Sequence, residues 1–197
     1  ARFHFLAWKR LADSLDIPFT EKDNERLKGV SRKESLDIIL SLQNRKNKYS
    51  SHDLTEFMER KNTWYGEYIE TLSPSDLLPG FMPFILWCRE TGRKTAIVSA
   101  SKNTGTIVDR LGIRNRFDTI VDGNRVLRAK PDPEGFLLAA QDLSVPPDQC
   151  LVIEDAAAGI RGAVAAGMHS VGIGDPEILS SADIVVPSLQ LLNTAEL

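Results

Sequence analysis

The stretch LVIEDAAAGI, residues 151–160, joins a buried strand to a helix through two carboxylates. Three large apolar residues in succession predict a strand that is covered on both faces, as in a parallel sheet. The small residues that follow predict a helix and would let the backbone approach a bound ion closely. Glu154 and Asp155 repel each other and lose hydration at the end of such a strand, so a positive group is expected beside them.

Short β-branched runs alternate with helical patterns on both sides of this stretch. Strand and helix in this alternation predict an α/β protein with a doubly wound parallel sheet, and ligands of such sheets bind beyond the carboxyl ends of the strands. The predicted strands are 95–99, 119–121, 151–153, 170–173 and 184–186, and the predicted helices between them are 104–111, 133–143 and 156–166.

The first 72 residues predict a bundle of helices and no strand. Thr20 and Ser31 are each followed three residues later by an acidic residue, which indicates two helix starts, and Gly29 is expected to end the first of these helices. A longer helix is expected over 51–72, after which Ser-Pro and Pro-Gly sequences break the pattern. The predicted domains are a helical one, 1–76, and an α/β one, 77–197.

The composition excludes several classes of protein. Of 197 residues, 42% are hydrophobic and 26% are charged, as in an ordinary globular protein. The net charge of −3 comes without the basic stripe of a nucleic-acid binder, and no apolar run reaches the ~20 residues that span a bilayer. Cys88 and Cys150 lie in apolar runs and predict no disulfide. We expect a cytoplasmic monomer that binds a small molecule, with no nucleic-acid or membrane partner.

Two further polar segments follow predicted strands. Ser99-Ala100-Ser101-Lys102-Asn103 could hold a phosphate through hydroxyl and backbone donors, although a plain helix cap explains the same residues. Lys130 stands between Ala129 and the sequence Pro131-Asp132-Pro133, where it is either an ordinary surface lysine or a fixed charge for a transferring phosphoryl group.

The acidic pair is the strongest of the three signals. Mg²⁺ prefers oxygen ligands and would compensate two adjacent carboxylates. A helix-capping role explains Asp155 alone and leaves Glu154 without a function. The sequence therefore favours a magnesium site at Glu154 and Asp155.

These strand-end signals, in this order and after a helical bundle, resemble the haloacid dehalogenase-like phosphotransferases. The resemblance implies a Rossmann-like α/β core with a helical-bundle cap, and it extends over essentially the whole chain. Some phrases are similar, more narrowly, to the sugar-phosphate mutases of that family. The phrases are HFLAW (4–8), LKGVSRKESL (27–36), ERKN (59–62), SASKN (99–103), AKPDP (129–133) and IEDAAAGI (153–160).

The resemblance implies a role for each core signal. Ser99 would bind the transferring phosphate through its hydroxyl, and Lys130 would place a fixed charge on it. Mg²⁺ is the implied cofactor, with Asp155 as a direct ligand and Glu154 as a ligand or as a partner of one. The other implied substrate contacts in the core are Ala100, Ser101, Lys102 and Asn103.

In the cap, the resemblance makes Arg32 the clamp on the non-reacting phosphate, which suits the planar fork of a guanidinium. Its implied supports are Lys28, Ser35 and Lys61. His4 and Trp8 would line the entrance between cap and core. Helical periodicity alone favours a simpler reading, in which Trp8 belongs to the core and His4 is hydrogen-bonded beside it.

One part of the family pattern is absent. The family opens with a strand that ends in Asp-x-Asp-Gly and supplies the nucleophile and the general acid/base, but residues 1–197 contain no Asp-x-Asp. A sheet without that central strand would leave backbone groups unpaired, so we expect a core strand ahead of residue 1 and no turnover without it.

The implied activity is the interconversion of β-D-glucose 1-phosphate and glucose 6-phosphate through an aspartyl-phosphate and a sugar bisphosphate. Two alternatives remain at this point. A sugar-phosphate phosphatase would differ in how well the cap excludes water, and a non-catalytic phosphosugar-binding protein would need no nucleophile.

Overall fold

The computed structural model describes residues 2–196, and these residues form two compact units. The units divide between Thr71 and Leu72, whereas the sequence places the boundary at 76/77. Within the described residues, no helix is long and apolar enough to cross a bilayer.

The first unit is a bundle of helices. Thr20 and Ser31 accept backbone hydrogen bonds at the starts of the second and third helices, which confirms both predicted starts. The predicted end at Gly29 is wrong: the second helix ends at Glu25, and a run of turns carries the chain to Gly29, whose φ is +77°. The helices are α1 (Arg2–Ser14), α2 (Glu21–Glu25), α3 (Arg32–Ser41) and α4 (Ser51–Ile69).

The core of this unit lies between α1, α3 and α4. Trp8 and Leu11 of α1 are almost fully buried there, together with Leu36 and Ile39 of α3 and Phe57 of α4. Burial of large apolar side chains, at roughly 1.5–3 kcal/mol each, therefore holds together helices that would be marginal alone.

The second unit has the predicted α/β class. Its helices are α5 (Phe81–Glu90), α6 (Thr104–Arg110), α7 (Glu134–Leu143) and α8 (Ala157–Ala165). Its strands are β1 (Ala96–Val98), β2 (Thr119–Val121), β3 (Leu151–Glu154), β4 (His169–Ile173) and β5 (Ile184–Val186). Every strand pair is parallel, as the alternation of strands and helices predicts.

The strands form two hydrogen-bonded sheets, β1–β2 and β3–β4–β5. Within the described residues, β1 pairs only with β2 and β3 only with β4, so each keeps one edge free of backbone pairing. A shared apolar cluster around Phe136 of α7 joins the two sheets, since Val98 of β1 and Val152 of β3 both pack there. The carboxyl ends of β1 and β3 are therefore held in one structural unit.

Candidate active site

The end of β1 places Ser99 at the rim of a small hollow. The Ser99 amide donates to the carbonyl of Val121 at 2.9 Å, which anchors it to β2. The Ser99 hydroxyl oxygen accepts from the amide of Ser101 at 3.1 Å, and within the described residues its own proton has no acceptor, so it can be donated to an anion. The Ser101 hydroxyl oxygen in turn accepts from the amide of Asn103 at 3.2 Å. Hydrogen bonds from backbone amides to the hydroxyl groups of Ser99 and Ser101 thus fix the conformation of residues 99–103.

Lys130 connects the ends of the two sheets. Its ammonium donates to a carboxylate oxygen of Glu154 at 2.6 Å and to the carbonyl oxygen of Val98 at 3.2 Å. The ammonium also lies 4.9 Å from the centre of the Phe136 ring. An ammonium has three donors, so one remains for a ligand. Ser99, Ala100 and Lys130 line the same hollow, which brings together two of the three predicted strand-end signals.

Glu154 is the buried partner in this ion pair. Its side chain is only 10% exposed, and burial raises the pKa of its carboxyl, while the ammonium of Lys130 opposes that shift. Gly159 explains how the carboxyl fits, because a Cβ at that position would lie 2.1 Å from the carboxyl carbon of Glu154. The sequence predicted that small residues after the acidic pair let a bound ion approach the backbone. In the structure, the carboxyl of Glu154 itself lies in the space that Gly159 leaves.

The acidic pair offers two different carboxylates. Asp155 is exposed, whereas one oxygen of Glu154 is already bonded to Lys130. Between residues 2 and 196 no group of three or more His, Cys, Asp or Glu side chains could hold a metal. Mg²⁺ is commonly bound by one or two carboxylates together with waters and substrate phosphates, so the two carboxylates fit this ion.

In the helical unit, Lys61 lies among aromatic side chains. It is 2% exposed, and its Nζ lies 2.9 Å from Nδ1 of His4. Its ammonium is 4.9 Å from the Trp8 ring and 4.5 Å from the Tyr65 ring, and His4 stacks on Tyr65 at 4.0 Å. Trp8 belongs to the core cluster, as the simpler reading of the periodicity has it.

Burial and neighbouring charge shift both basic groups of this cluster. Burial, assisted by the charge of Arg32, lowers the pKa of Lys61 to about 7. Burial first, and then the charges of Lys61, the amino terminus and Arg32, hold the pKa of His4 well below its usual range. The cluster is therefore short of negative charge.

The other predicted cap residues have different partners. Arg32 is half-buried and donates to the side-chain oxygen of Asn62 at 2.7 Å. Lys28 pairs with Glu25 at 2.9 Å, and the hydroxyl of Ser35 donates to the carbonyl of Ser31 at 3.0 Å. Among the cationic cap residues predicted to bind phosphate, Arg32 and Lys61 thus have no salt bridge to a carboxylate within the described residues, whereas Lys28 does.

Three residues of these clusters were not predicted. Tyr65 and Asn62 hold His4 and Arg32 respectively, and Gly159 makes room for Glu154. The spacing of Lys61 and Tyr65, four residues apart on one helix, is the signal that could have identified Tyr65. Lys102 is exposed, and its backbone carbonyl accepts a hydrogen bond from the side-chain amide of Asn124 at 3.2 Å.

Comparison with known proteins identifies relatives of the whole chain. It is 44% identical to a β-phosphoglucomutase of Bacillus subtilis over 186 residues, which are 94% of this chain and 82% of that protein. It is 27% identical to a phosphorylated carbohydrates phosphatase of Thermotoga maritima, over 96% of this chain and 89% of that protein.

Comparison with solved structures and with protein-family models identifies relatives of the same kind. A crystal structure of β-phosphoglucomutase from Clostridium difficile matches with a TM-score of 0.93 and 39% identity, over 99% of this chain and 87% of that one. The family model for haloacid dehalogenase-like hydrolases matches residues 2–167. The chain therefore belongs to the haloacid dehalogenase-like hydrolase family.

Proposed function

We propose that this chain forms the cap and most of the core of a β-phosphoglucomutase, which interconverts β-D-glucose 1-phosphate and glucose 6-phosphate. The observation that carries the proposal is the ammonium of Lys130, which is bonded to the ends of β1 and β3 and keeps one donor unused beside Ser99. Two relatives named as β-phosphoglucomutases, at 44% and 39% identity, support the choice of reaction.

Ser99 and Lys130 bind the transferring phosphoryl group in this proposal. Phosphoryl transfer depends mainly on positioning and on neutralising charge at the equatorial oxygens. The free hydroxyl proton of Ser99 and the third hydrogen of Lys130 supply two fixed donors for those oxygens. Glu154 keeps Lys130 from turning away, since their bond is 2.6 Å long and buried.

Asp155 is the proposed direct ligand of Mg²⁺, and Glu154 either binds the ion or orients what binds it. When bound, Mg²⁺ supplies further positive charge for the transferring group. Asp155 suits a direct role because its carboxylate is exposed and makes no ion pair among the described residues.

Arg32 and Lys61 bind the second, non-reacting phosphate in this proposal. Burial lowers the pKa of both basic groups, and at Lys61 the charge of Arg32 adds to this effect. A phosphate dianion would relieve both costs, because an opposite charge within a few ångströms favours the charged form. We assign His4 to the same subsite, and Lys28 and Ser35 to its periphery.

The nucleophile lies outside residues 1–197 in this proposal, because the sequence contains no Asp-x-Asp. A sugar-phosphate phosphatase is the second candidate function, favoured by the 27% identity to a phosphatase of phosphorylated carbohydrates.

The test uses protein expressed from the natural start codon of its gene, with β-glucose 1-phosphate, a bisphosphate primer and Mg²⁺. We expect glucose 6-phosphate to exceed inorganic phosphate among the products, and Ser99→Ala to slow its formation by about 10²–10³, the loss typical of one fixed donor. Arg161→Met, an exposed charge on α8, is the control. Inorganic phosphate as the main product would indicate the phosphatase, and binding without any product a non-catalytic protein.

A further inference from the structure

Lys61 is a buried base whose surroundings lack negative charge. Its 2% exposure leaves the ammonium almost no contact with water, and within the described residues its hydrogen-bonding partner is a ring nitrogen of His4. The aromatic faces of Trp8 and Tyr65 attract a cation, but they carry partial charge and do not neutralise it. Because an unpaired buried charge is costly, burial lowers the pKa of this amine to about 7.

The titratable and charged groups that face Lys61 all act in the same direction or are neutral. From α1 comes His4, whose own pKa is depressed, and from α3 comes the positive charge of Arg32. On its own helix the neighbour is Tyr65, whose ring centre lies 4.5 Å from the Lys61 nitrogen. No carboxylate of the described chain forms a salt bridge with Lys61.

We propose that binding of a dianion between Arg32 and Lys61 takes up one proton from solvent, which bonds to the amine of Lys61. The inference rests on the proposed function, which assigns the non-reacting phosphate to these two residues. The reaction is balanced as amine, proton and dianion on one side and the ammonium–dianion pair on the other.

The size of the effect follows from linkage. With a pKa of about 7 in the free protein, half of the Lys61 side chains carry a proton at pH 7 and about 1% at pH 9. A dianion in contact raises that pKa, because the opposite charge stabilises the ammonium. Binding of the dianion is therefore expected to weaken by up to about 50-fold from pH 7 to pH 9, the limit that is reached when the pKa in the complex lies well above 9.

Sulfate is the probe, since its charge does not change over this range. Isothermal titration of the protein expressed from the natural start codon of its gene should give this change in Kd. Repeating it at pH 8 in two buffers of different ionisation enthalpy should give an uptake of about 0.9 proton per sulfate. The ¹⁵N shift of the Lys61 Nζ, followed by NMR, reports its protonation directly and needs no variant.

Two variants separate charge from titration. Lys61→Arg keeps a permanent charge, so its sulfate affinity should be flat with pH and its proton uptake should vanish. Lys22→Met removes an exposed lysine of α2 and should leave both unchanged. Sulfate that shifts Arg32 signals while the Lys61 Nζ stays protonated from pH 7 to 9 would overturn the inference and leave the proposed function intact.

A different result would count against the assignment of this subsite itself. If sulfate shifts only the signals of Ser99 and Lys130, the dianion does not bind at Arg32, and the inference fails along with that assignment. Turnover of β-glucose 1-phosphate, measured separately, then decides whether the mutase activity survives.

Discussion

Gly159→Ala tests whether the ion pair of Glu154 and Lys130 depends on the space left by a glycine. The added Cβ would lie 2.1 Å from the carboxyl carbon of Glu154 and 2.4 Å from one of its oxygens, so the side chain must move. Moving the Glu154 side chain costs free energy, because its carboxyl is buried and bonded to Lys130 at 2.6 Å. We therefore expect the substitution to break the pair.

Two opposing contributions set the magnitude. Alanine in a helix interior is favoured over glycine by roughly 0.5–1 kcal/mol. Breaking a buried ion pair costs about 3–5 kcal/mol, since charge is left without compensation. The free energy of unfolding should thus fall by about 2–4 kcal/mol for Gly159→Ala.

Gly66 of α4 provides a matched control, because nothing lies within 4 Å of a Cβ placed there. Gly66→Ala should raise the free energy of unfolding by about 0.5–1 kcal/mol. Urea denaturation followed by circular dichroism measures both variants. A Gly159→Ala protein as stable as Gly66→Ala would refute the reasoning, as would an equal loss when Glu154 is first replaced by alanine.

Three further expectations concern the charged groups. Lys130→Met should lower the free energy of unfolding by about 3–5 kcal/mol, because it leaves the Glu154 carboxylate buried and unpaired. The double variant Lys130→Met/Glu154→Met should recover most of this loss, since it contains no unpaired buried charge. Urea denaturation measures both variants, and a double variant as unstable as the single one would contradict the pairing. Lys61 should make stability depend on pH. Its pKa is about 7 in the folded protein and ordinary in the unfolded chain, so the unfolded state binds more protons between pH 7 and about 10. Wild type should therefore gain up to about 1.4 kcal/mol per pH unit relative to Lys61→Met over that range, and a constant difference in pH-resolved denaturation would contradict this. Asp155→Asn should change stability by less than about 0.5 kcal/mol, since the side chain is exposed, while abolishing stimulation of turnover by Mg²⁺.

The sequence predicted the α/β unit well where signals are local. The runs 119–121 and 184–186 are strands with those bounds, because β-branched residues stand there between turns. Helix α5 was missed, since its sequence, FMPFILWCRE, has no polar face in its first turns and contains a proline, which a helix tolerates near its start. The division into two sheets depends on pairing between distant segments, which no local pattern reports.

The acidic pair shows what charge arguments can and cannot decide. The sequence required a positive group beside Glu154 and Asp155, and Mg²⁺ was the expected one. In the described chain the ammonium of Lys130 meets that requirement for Glu154, from a position 24 residues away. Two adjacent carboxylates in the sequence are enough to predict that a positive group lies nearby. Which group it is depends on tertiary packing, because Lys130 lies in the loop before α7 and contacts the ends of both sheets.

Lys61 illustrates the opposite case, in which the local sequence pattern is enough to predict that the residue is buried. Phe57, Lys61, Tyr65 and Ile69 recur every four residues along α4, and all four are buried. Position 61 therefore lies on the apolar stripe, where a lysine is costly unless something compensates it. Lys28 lies off any such stripe and finds an ordinary partner in Glu25. A lysine in phase with a buried apolar stripe is thus a candidate for binding an anion, and this periodic signal distinguishes Lys61 from lysines that merely occur near an arginine.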